Sequence, residues 1–215
     1  MNLVLLGPPG AGKGTQAVQI AQSFEIVHLS SGDILRAERK NKTDLGNKAQ
    51  GIMDRGVLVS DNVILAMMMD HIDRPDAAAG FVLDGFPRTV VQAERLDESL
   101  AEKGKKINAV VNIQVSEDDV VKRLTGRLYC AKSGRTYHVD FSPPKSPGIC
   151  DESGEPLLRR KDDEPDVVRQ RLLTYRQATE PLVGYYRERG VLCVVDGSGA
   201  PDSVTEAIRK ACRPQ

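Results

Sequence analysis

Residues 7–15 read Gly7-Pro8-Pro9-Gly10-Ala11-Gly12-Lys13-Gly14-Thr15, and this stretch decides the fold of the chain. It follows an apolar run over residues 2–6 that is too short for a helix and is typical of a buried strand. After it, residues 16–24 carry apolar side chains at helical spacing. A strand, a glycine-rich loop, a lysine and a helix in this order predict a phosphate-binding loop, in which backbone N–H groups converge on an anion and Lys13 adds a positive charge. The alternative is a tight glycine turn, which needs neither Lys13 nor Thr15.

One position departs from the commonest form of this loop. Gly14 directly follows the lysine, where a Ser or Thr usually offers a hydroxyl to magnesium, and Thr15 comes one place later. Glycine has no side chain with which to ligate a metal. We therefore expect Mg²⁺ to arrive with a nucleotide, keep several waters and be held by phosphate oxygens, and we predict no dedicated metal-binding residue.

The composition is that of an ordinary globular protein. The chain has 215 residues, 40% hydrophobic and 28% charged, which is enough for one substantial core with small inserted lobes. Lys and Arg together number 30, as do Asp and Glu, so no basic field points to nucleic acid. The chain begins directly with a strand and has no apolar run of membrane-spanning length, so we expect a cytoplasmic protein with no membrane partner. Nothing demands an interface, and we expect a monomer.

Four further apolar runs predict strands, and a helix-start signal follows each of them. The runs cover residues 25–29, 80–83, 109–115 and 191–195. Strands that alternate with helices indicate a parallel sheet covered on both faces. The sequence therefore predicts an α/β protein, a three-layer P-loop fold with a central five-stranded parallel sheet, whose ligands bind at the carboxyl ends of the strands.

Two segments interrupt the alternation and are predicted to be inserts. Residues 30–59 indicate helices without a strand, whereas residues 126–163 are rich in Gly and Pro, which excludes long helices and favours short β-hairpins. The core domain is then expected to comprise residues 1–29, 60–125 and 164–215.

An acidic residue closes the third predicted strand. Asp84 is followed by Gly85-Phe86-Pro87-Arg88, and in a protein with a phosphate-binding loop this is where the carboxylate on the magnesium side is found. A helix-capping or turn aspartate is the alternative. We expect residues 85–87 to fix a turn that points Arg88 into the cleft.

Arginines recur at helix starts, turns and insert edges near the expected cleft. Taken singly, each is more often a solvated surface charge. Together they resemble a phosphate clamp, because phosphoryl transfer asks for guanidinium groups around charge that is spread over several oxygens. The set is Arg36, Arg88, Arg123, Arg127, Arg160 and Arg171. No functional role is predicted for any of the three histidines.

With these motifs the chain resembles the adenylate kinases of the long-lid type over essentially its whole length. The resemblance implies reversible transfer of the γ-phosphoryl group of Mg·ATP to AMP, which gives two ADP and serves adenine nucleotide homeostasis. It also implies that residues 30–59 bind the nucleoside monophosphate and that residues 126–163 form the lid. The implied catalytic residues are Lys13, Asp84, Arg88, Arg127, Arg160 and Arg171.

The resemblance also implies residues for each nucleotide. On the AMP side, Ser31 and Gln92 would meet the adenine, residues 57–59 would form its wall, and Arg36 and Arg88 would bind the phosphate. The AMP set is Ser31, Arg36, Val57, Leu58, Val59, Gly85, Phe86, Pro87, Arg88, Gln92, Arg160 and Arg171.

On the ATP side, Arg123 would stack on the adenine and Arg127 would reach the phosphates. Gly199 stands where a lysine often appears in the family, but the contact there resembles a backbone one, so the change need not harm binding. The ATP set is Gly10, Ala11, Gly12, Lys13, Gly14, Thr15, Arg123, Arg127, Thr136, Tyr137 and Gly199.

The lid departs from the zinc-binding pattern of many relatives. Four cysteines, or three and an aspartate, hold structural zinc in those proteins, whereas the matching positions here are Cys130, Ser133, Cys150 and Ser153. Neutral hydroxyls are poor zinc ligands and two thiolates alone make a weak site. We therefore expect no structural zinc but thiol–hydroxyl contacts between two hairpins. A Cys130–Cys150 disulfide is disfavoured in a reducing cytoplasm.

Two rival functions remain open on the sequence. A kinase for UMP or CMP would share the phosphate loop but tends to have a short lid and an alanine at position 31. A nucleotide switch without transfer activity would need only the loop and Asp84, and would leave the arginines and both inserts without a role.

Overall fold

The computed structural model describes residues 1–212, apart from the side chains of residues 48 and 50. The strands are β1 (Asn2–Leu6), β2 (Val27–Ser30), β3 (Phe81–Asp84), β4 (Ala109–Gln114), β5 (Arg127–Tyr129), β6 (Thr136–His138) and β7 (Leu192–Asp196). The helices are α1 (Lys13–Phe24), α2 (Ser31–Lys40), α3 (Asp44–Met53), α4 (Asp61–Ile72), α5 (Val90–Glu102), α6 (Glu117–Thr125), α7 (Pro165–Thr174), α8 (Pro181–Glu188) and α9 (Pro201–Ala211). None of the helices within residues 1–212 combines the length and apolar character that crossing a membrane requires.

Five of the strands form one parallel sheet in the order β2-β3-β1-β4-β7. The prediction of a five-stranded parallel sheet is confirmed, and each strand lies within two residues of its predicted bounds. The second strand starts later than expected because Glu25 adopts a left-handed conformation (φ 53°), and its N–H bonds to the carbonyl of Ala21 to end α1.

Successive side chains of β1 alternate between the two faces of the sheet, and both faces are buried. Leu3 and Leu5 pack with apolar residues of α1 and α9. Val4 and Leu6 pack with residues of α4, α5 and α8 on the other face. A continuous apolar run in the central strand therefore produces the predicted three layers.

The segments outside this sheet differ in kind. Helices α2 and α3 pack closely enough that a Cβ on Gly46 would lie 2.3 Å from the carbonyl carbon of Glu38. Strands β5 and β6 form an antiparallel hairpin, and isolated bridges join Tyr129 to Leu158 and Ile149 to Pro156. A small core of Cys130, Tyr137 and Cys150 holds this β-rich lobe together.

Candidate functional site

The glycine-rich loop between β1 and α1 wraps around its own lysine. Gly7 takes a positive φ of 141°, and a Cβ there would lie 2.5 Å from the carbonyl oxygen of Ile113, so only glycine fits. Lys13 Nζ donates to the carbonyls of Gly7 and Pro8, at 2.8 Å each. Burial lowers the pKa of Lys13 to about 8, although the charge of Asp84 acts in the opposite direction. The loop carbonyls thus hold the ammonium of Lys13 within the glycine-rich loop.

Asp84 ends β3 beside this loop. Its Oδ2 would lie 3.4 Å from a Cβ on Gly14, and it lies 3.7 Å from Nε2 of His28 on the neighbouring strand β2. Burial alone would raise the pKa of Asp84, but the interaction with His28 and the charge of Lys13 outweigh burial and lower it. The carboxylate therefore stays ionised next to the phosphate loop.

This surrounding suits a magnesium ion that arrives with a nucleotide. Within residues 1–212 no group of three or more His, Cys, Asp or Glu side chains is arranged to hold a metal by itself. A single ionised carboxylate, Asp84, next to a phosphate loop fits the coordination habit of Mg²⁺, which keeps waters and binds phosphate oxygens.

The structure brings five of the six predicted arginines into one electrostatic neighbourhood, whereas Arg123 lies apart from them. The protein atoms that crowd the cleft around Arg88, and then the charge of Arg171, lower the pKa of Arg88 to about 10. Burial followed by the charges of Arg36 and Arg127 lowers the pKa of Arg160 to about 10. The charges of Arg88, Arg171 and Arg127 also act on Lys13. Like charges held this close to one another are unfavourable unless anions lie between them.

Aspartates partly balance this cluster. Asp163 is buried, and its carboxylate accepts hydrogen bonds from Nε and Nη2 of Arg127. Arg171 Nη1 donates to the same carboxylate at 3.0 Å. Arg171 lies 3.0 Å from Asp162 as well. Across the cleft Arg36 pairs with Asp33 one helical turn away.

Arg160 carries an N–H donor that is not used within the described residues. Its Nε is buried and has no hydrogen-bond partner among the described residues, and its guanidinium lies over the Tyr129 ring, 5.5 Å from the centroid. A buried donor without an acceptor is costly. This position is therefore suited to an anion that the protein itself does not supply.

Arg88 stands at the turn after β3. Its Nε donates to the carbonyl of Gly85 at 2.7 Å, and Thr179 Oγ1 donates to the Arg88 carbonyl at 2.9 Å. The side chain is open to solvent although protein atoms crowd the cleft around it. Phe86 and Pro87, which the sequence also assigned to AMP, are buried, and Phe86 packs in the core beneath the turn. Their contribution is to the shape of the turn.

A pocket lies beside Arg88, between α2, α3, the segment 57–59 and α5. Ser31 Oγ donates to the Gly85 carbonyl at 2.7 Å on one wall, and the Gln92 amide lies on another. The residues that line it are Ser31, Gly32, Leu35, Met53, Val57, Leu58, Val59, Ile64, Gly85, Arg88 and Gln92. Apolar walls with a few polar groups are typical of a site for a small molecule.

On the other side of the loop, Arg123 bridges two segments. Its Nη2 donates to the carbonyl of Gly197 at 2.8 Å, and its Nη1 to that of Ala11 at 3.4 Å. Gly199 follows in the loop before α9, where a Cβ would meet nothing closer than 3.9 Å. Arg123 and Gly199 therefore border a solvent-accessible surface next to the phosphate loop.

Thr136 and Tyr137 lie on β6 of the β-rich lobe. Thr136 is exposed, whereas Tyr137 is buried and its hydroxyl contacts Cys150 Sγ and accepts the N–H of Asp151. The Tyr137 ring therefore packs in the small core of this lobe.

The four lid positions that matched a zinc site do form one cluster. Cys130 Sγ and Ser153 Oγ lie 3.1 Å apart, and Ser133 Oγ and Cys150 Sγ 3.4 Å apart. Both thiols are free, and hydrogen bonds from Ser133, Ser153 and Tyr137 overcome burial and lower the pKa of Cys150. Even with the Cys150 sulfur ionised, two cysteines and two neutral hydroxyls do not fit the donor set of a structural zinc site.

Sequence reasoning missed three carboxylate or imidazole partners of these residues. His28 faces Asp84, Asp163 pairs with two arginines, and Asp61 accepts a hydrogen bond from Gln92. Asp163 had a local signal, since it closes the run Arg160-Lys161-Asp162-Asp163. His28 and Asp61 act across 56 and 31 positions of chain, and only the pairing of β2 with β3 and of α4 with α5 brings them to their partners.

Comparison with known proteins identifies the group of proteins to which this arrangement belongs. A model of the adenylate kinase family matches residues 5–191. A protein described as adenylate kinase from Clostridium acetobutylicum is 50% identical over 209 residues, which is 97% of each chain. One from Carboxydothermus hydrogenoformans is 48% identical over 98% of this chain and 99% of its own, and one from Archaeoglobus fulgidus is 48% identical over 97% and 96%. The chain belongs to the adenylate kinase family of phosphotransferases.

Proposed function

We propose that this chain transfers the terminal phosphoryl group of ATP to AMP, reversibly, and so produces two ADP. One observation carries the proposal: mutually repelling cations surround a cleft in which Arg160 Nε has no acceptor among the described residues. Membership of the adenylate kinase family supports the choice of both nucleotides.

Each cation has a role that its position supports. Lys13 and the loop amides would hold the ATP phosphates, and Arg36 and Arg88 would hold the phosphate of AMP. Arg127, Arg160 and Arg171 would stabilise the charge on the group in transfer. The reaction needs no protein nucleophile, so catalysis is alignment and electrostatic stabilisation.

Magnesium is part of the proposal. When bound with ATP, Mg²⁺ would neutralise phosphate charge, and the Asp84 carboxylate would orient waters of its coordination shell.

Water must be kept from the phosphoryl group. We propose that residues 30–59 and 126–163 are separate lobes, the first binding AMP and the second covering ATP, and that both close over the core. A site that stayed open would allow hydrolysis of ATP instead of transfer.

We further propose a cytoplasmic monomer. The support for the compartment is compositional, because four cysteines in 215 residues are too few for a disulfide scaffold. Size-exclusion chromatography with light scattering at micromolar concentration would test the monomer, and a mass near twice 23.5 kDa would contradict it.

A coupled assay with AMP, UMP, CMP and GMP as acceptors tests the function. We expect AMP to be the preferred acceptor by kcat/KM, because Ser31 and Gln92 line the pocket beside Arg88. Preference for UMP or CMP would assign the chain to another acceptor, and nucleotide binding without transfer would make it a switch.

A further inference from the structure

The Gln92 side chain, at the wall of the pocket beside Arg88, is held at both ends of its amide. The backbone N–H of Arg88 donates to Gln92 Oε1 at 2.7 Å, and Gln92 Nε2 donates to Asp61 Oδ1 at 2.7 Å. Thr89 Oγ1 donates to the same carboxylate oxygen at 3.3 Å. Asp61 is the first residue of α4, where the helix N-terminus favours a negative charge.

These partners fix which way the amide faces. Arg88 offers only a donor and the Asp61 carboxylate only acceptors. If the amide turned over, its NH₂ would meet the Arg88 N–H and its oxygen would meet the carboxylate. Both contacts would be repulsive, so a single orientation is stable. Asp61, which lies 31 positions before Gln92 in the chain, makes one of the two contacts that select this orientation of the amide.

A fixed amide presents a fixed pattern to the pocket. After its two protein contacts, Gln92 retains one N–H on Nε2 and one lone pair on Oε1. Adenine offers an acceptor at N1 next to a donor at its 6-amino group, which matches this pair. Guanine offers a donor at N1 next to an acceptor at O6, which is the reverse. A buried donor–acceptor pair discriminates strongly against a base that leaves it unmatched.

We propose that Asp61 is a specificity-determining positioning residue, which selects adenine over guanine in the acceptor by fixing the orientation of the Gln92 amide. This inference rests on the proposed function, since it takes a nucleoside monophosphate as the occupant of the pocket. Asp61 need not touch the nucleotide.

Two substitutions separate this role from a structural one. In Asp61→Asn the side-chain amide at position 61 can either accept from the Gln92 NH₂ or donate to the Gln92 oxygen, so both orientations of Gln92 are satisfied. In Asp61→Leu the side chain at position 61 can do neither. Steady-state rates with AMP and with GMP, at saturating Mg·ATP, give kcat/KM for each acceptor. We expect KM for AMP to rise about tenfold and the AMP-to-GMP ratio of kcat/KM to fall by about tenfold or more, whereas kcat with AMP and KM for ATP stay within about twofold.

Asp118→Asn is the matched control. Asp118 lies in the first turn of α6, as Asp61 lies in that of α4, its side chain is exposed, and it belongs to neither proposed nucleotide site. It shares the helix-dipole effect but not the contact with Gln92, so its AMP-to-GMP ratio should equal that of the unsubstituted chain. Thermal unfolding of every variant checks the fold, and Asp61→Asn decides alone if Asp61→Leu does not fold.

The outcomes distinguish the two proposals. If the unsubstituted chain does not phosphorylate AMP, the proposed function fails. If it does, and both Asp61 variants keep the AMP-to-GMP ratio, the inference about Asp61 is overturned while the function stands. A fall in kcat that is equal for both acceptors would also overturn it, because that result indicates only a structural role.

Discussion

The environment of Lys13 predicts that nucleotide binding is coupled to a proton. Its ammonium is held by the carbonyls of Gly7 and Pro8, and burial lowers its pKa to about 8. Bound phosphates favour the charged form and raise that pKa. At pH 8.5 nucleotide binding should therefore take up a proton, whereas at pH 6.5 this group should contribute none. Calorimetric titrations with ATP in two buffers of different ionisation enthalpy measure the uptake, and equal heats at pH 8.5 would contradict it.

The same lowered pKa affects stability in a defined direction. The pKa of Lys13 is about 8 in the fold and 10.5 as its ordinary value, so the unfolded chain binds more protons between those limits. This group therefore destabilises the fold fully below pH 8, and its penalty disappears as the pH rises towards 10.5. Lys13→Met should remove that slope from urea-unfolding free energies measured between pH 7.5 and 10. An unchanged slope would exclude Lys13 as its source.

Arg88→Ala tests the clamp at the AMP side. The side chain is open to solvent and donates only to Gly85 among the described residues, so the fold should persist. Turnover should fall by about 10³-fold or more, because this guanidinium would neutralise phosphate charge. Arg187→Ala, an exposed arginine on α8, is the control and should keep full activity. A rate with Arg88→Ala equal to that of the control would remove Arg88 from the mechanism.

Individual residues were predictable where chemistry follows a local pattern. Lys13 lies in a motif and Asp84 ends a strand, so their neighbourhood follows from topology alone. The partners of the predicted residues were not predictable in this way. Asp61 and His28 lie in unremarkable helical and strand positions, and their roles depend on which elements pair.

At the scale of elements, the junction of α6 with the lid depends on a glycine. Gly126 has an ordinary φ of −88°, but a Cβ there would lie 2.3 Å from His138 Nε2. That ring is fixed, since Nδ1 accepts the N–H groups of Asp140 and Phe141 and Nε2 contacts the Lys122 carbonyl. Gly126→Ala should therefore lower the free energy of unfolding by about 2 kcal/mol.

Gly184→Ala is the matched comparison in the same chain. Gly184 lies within α8 and an added Cβ meets nothing within 4 Å, so alanine should stabilise the helix by about 0.5–1 kcal/mol. Chemical unfolding of both variants measures the difference. If the Gly126→Ala protein were as stable as the Gly184→Ala protein, His138 would be able to move away from the added methyl group without loss of stability.

The lid cluster makes a prediction about metal. Two thiols and two hydroxyls at positions 130, 133, 150 and 153 are a poor zinc site, so purified protein should contain well below one zinc per chain. Replacing both serines by cysteine should create four thiolates and bind about one zinc per chain. Elemental analysis measures both proteins, and one zinc in the unsubstituted chain would contradict the interpretation.

Elements were predicted well where hydrophobic pattern and burial agree. The three central strands β1, β3 and β4 are mostly apolar runs because both of their faces are covered, and that pattern is visible in the sequence. The edge strands β2 and β7 are only partly buried. The start of β2 was missed by two residues, because Glu25 adopts a left-handed conformation that no local pattern announces. The composition of residues 126–163 predicted hairpins, but it did not predict which residues pair. Bridges such as the one between Tyr129 and Leu158 join positions that are far apart in the chain.

For the whole molecule, closure of both lobes should appear as protection. A bisubstrate mimic that joins two nucleotides through one phosphate chain should slow amide hydrogen exchange in residues 30–59 and 126–163, and slow it less in β1 and β4, which are already buried. At a hundred times its Kd it should add about 2.7 kcal/mol to the stability. Equal protection everywhere, or protection of the core alone, would contradict closure by the two lobes.

The carboxylates of Asp162 and Asp163 have a consequence for the whole reaction cycle. They form ion pairs with Arg127 and Arg171, so each of these guanidinium groups already has a carboxylate partner within the protein. In the proposed reaction, substrate binding would resemble ion exchange, because incoming phosphate oxygens would compete with these carboxylates for the same guanidinium groups. Product release would be eased for the same reason, because the carboxylates would pair with the guanidinium groups again.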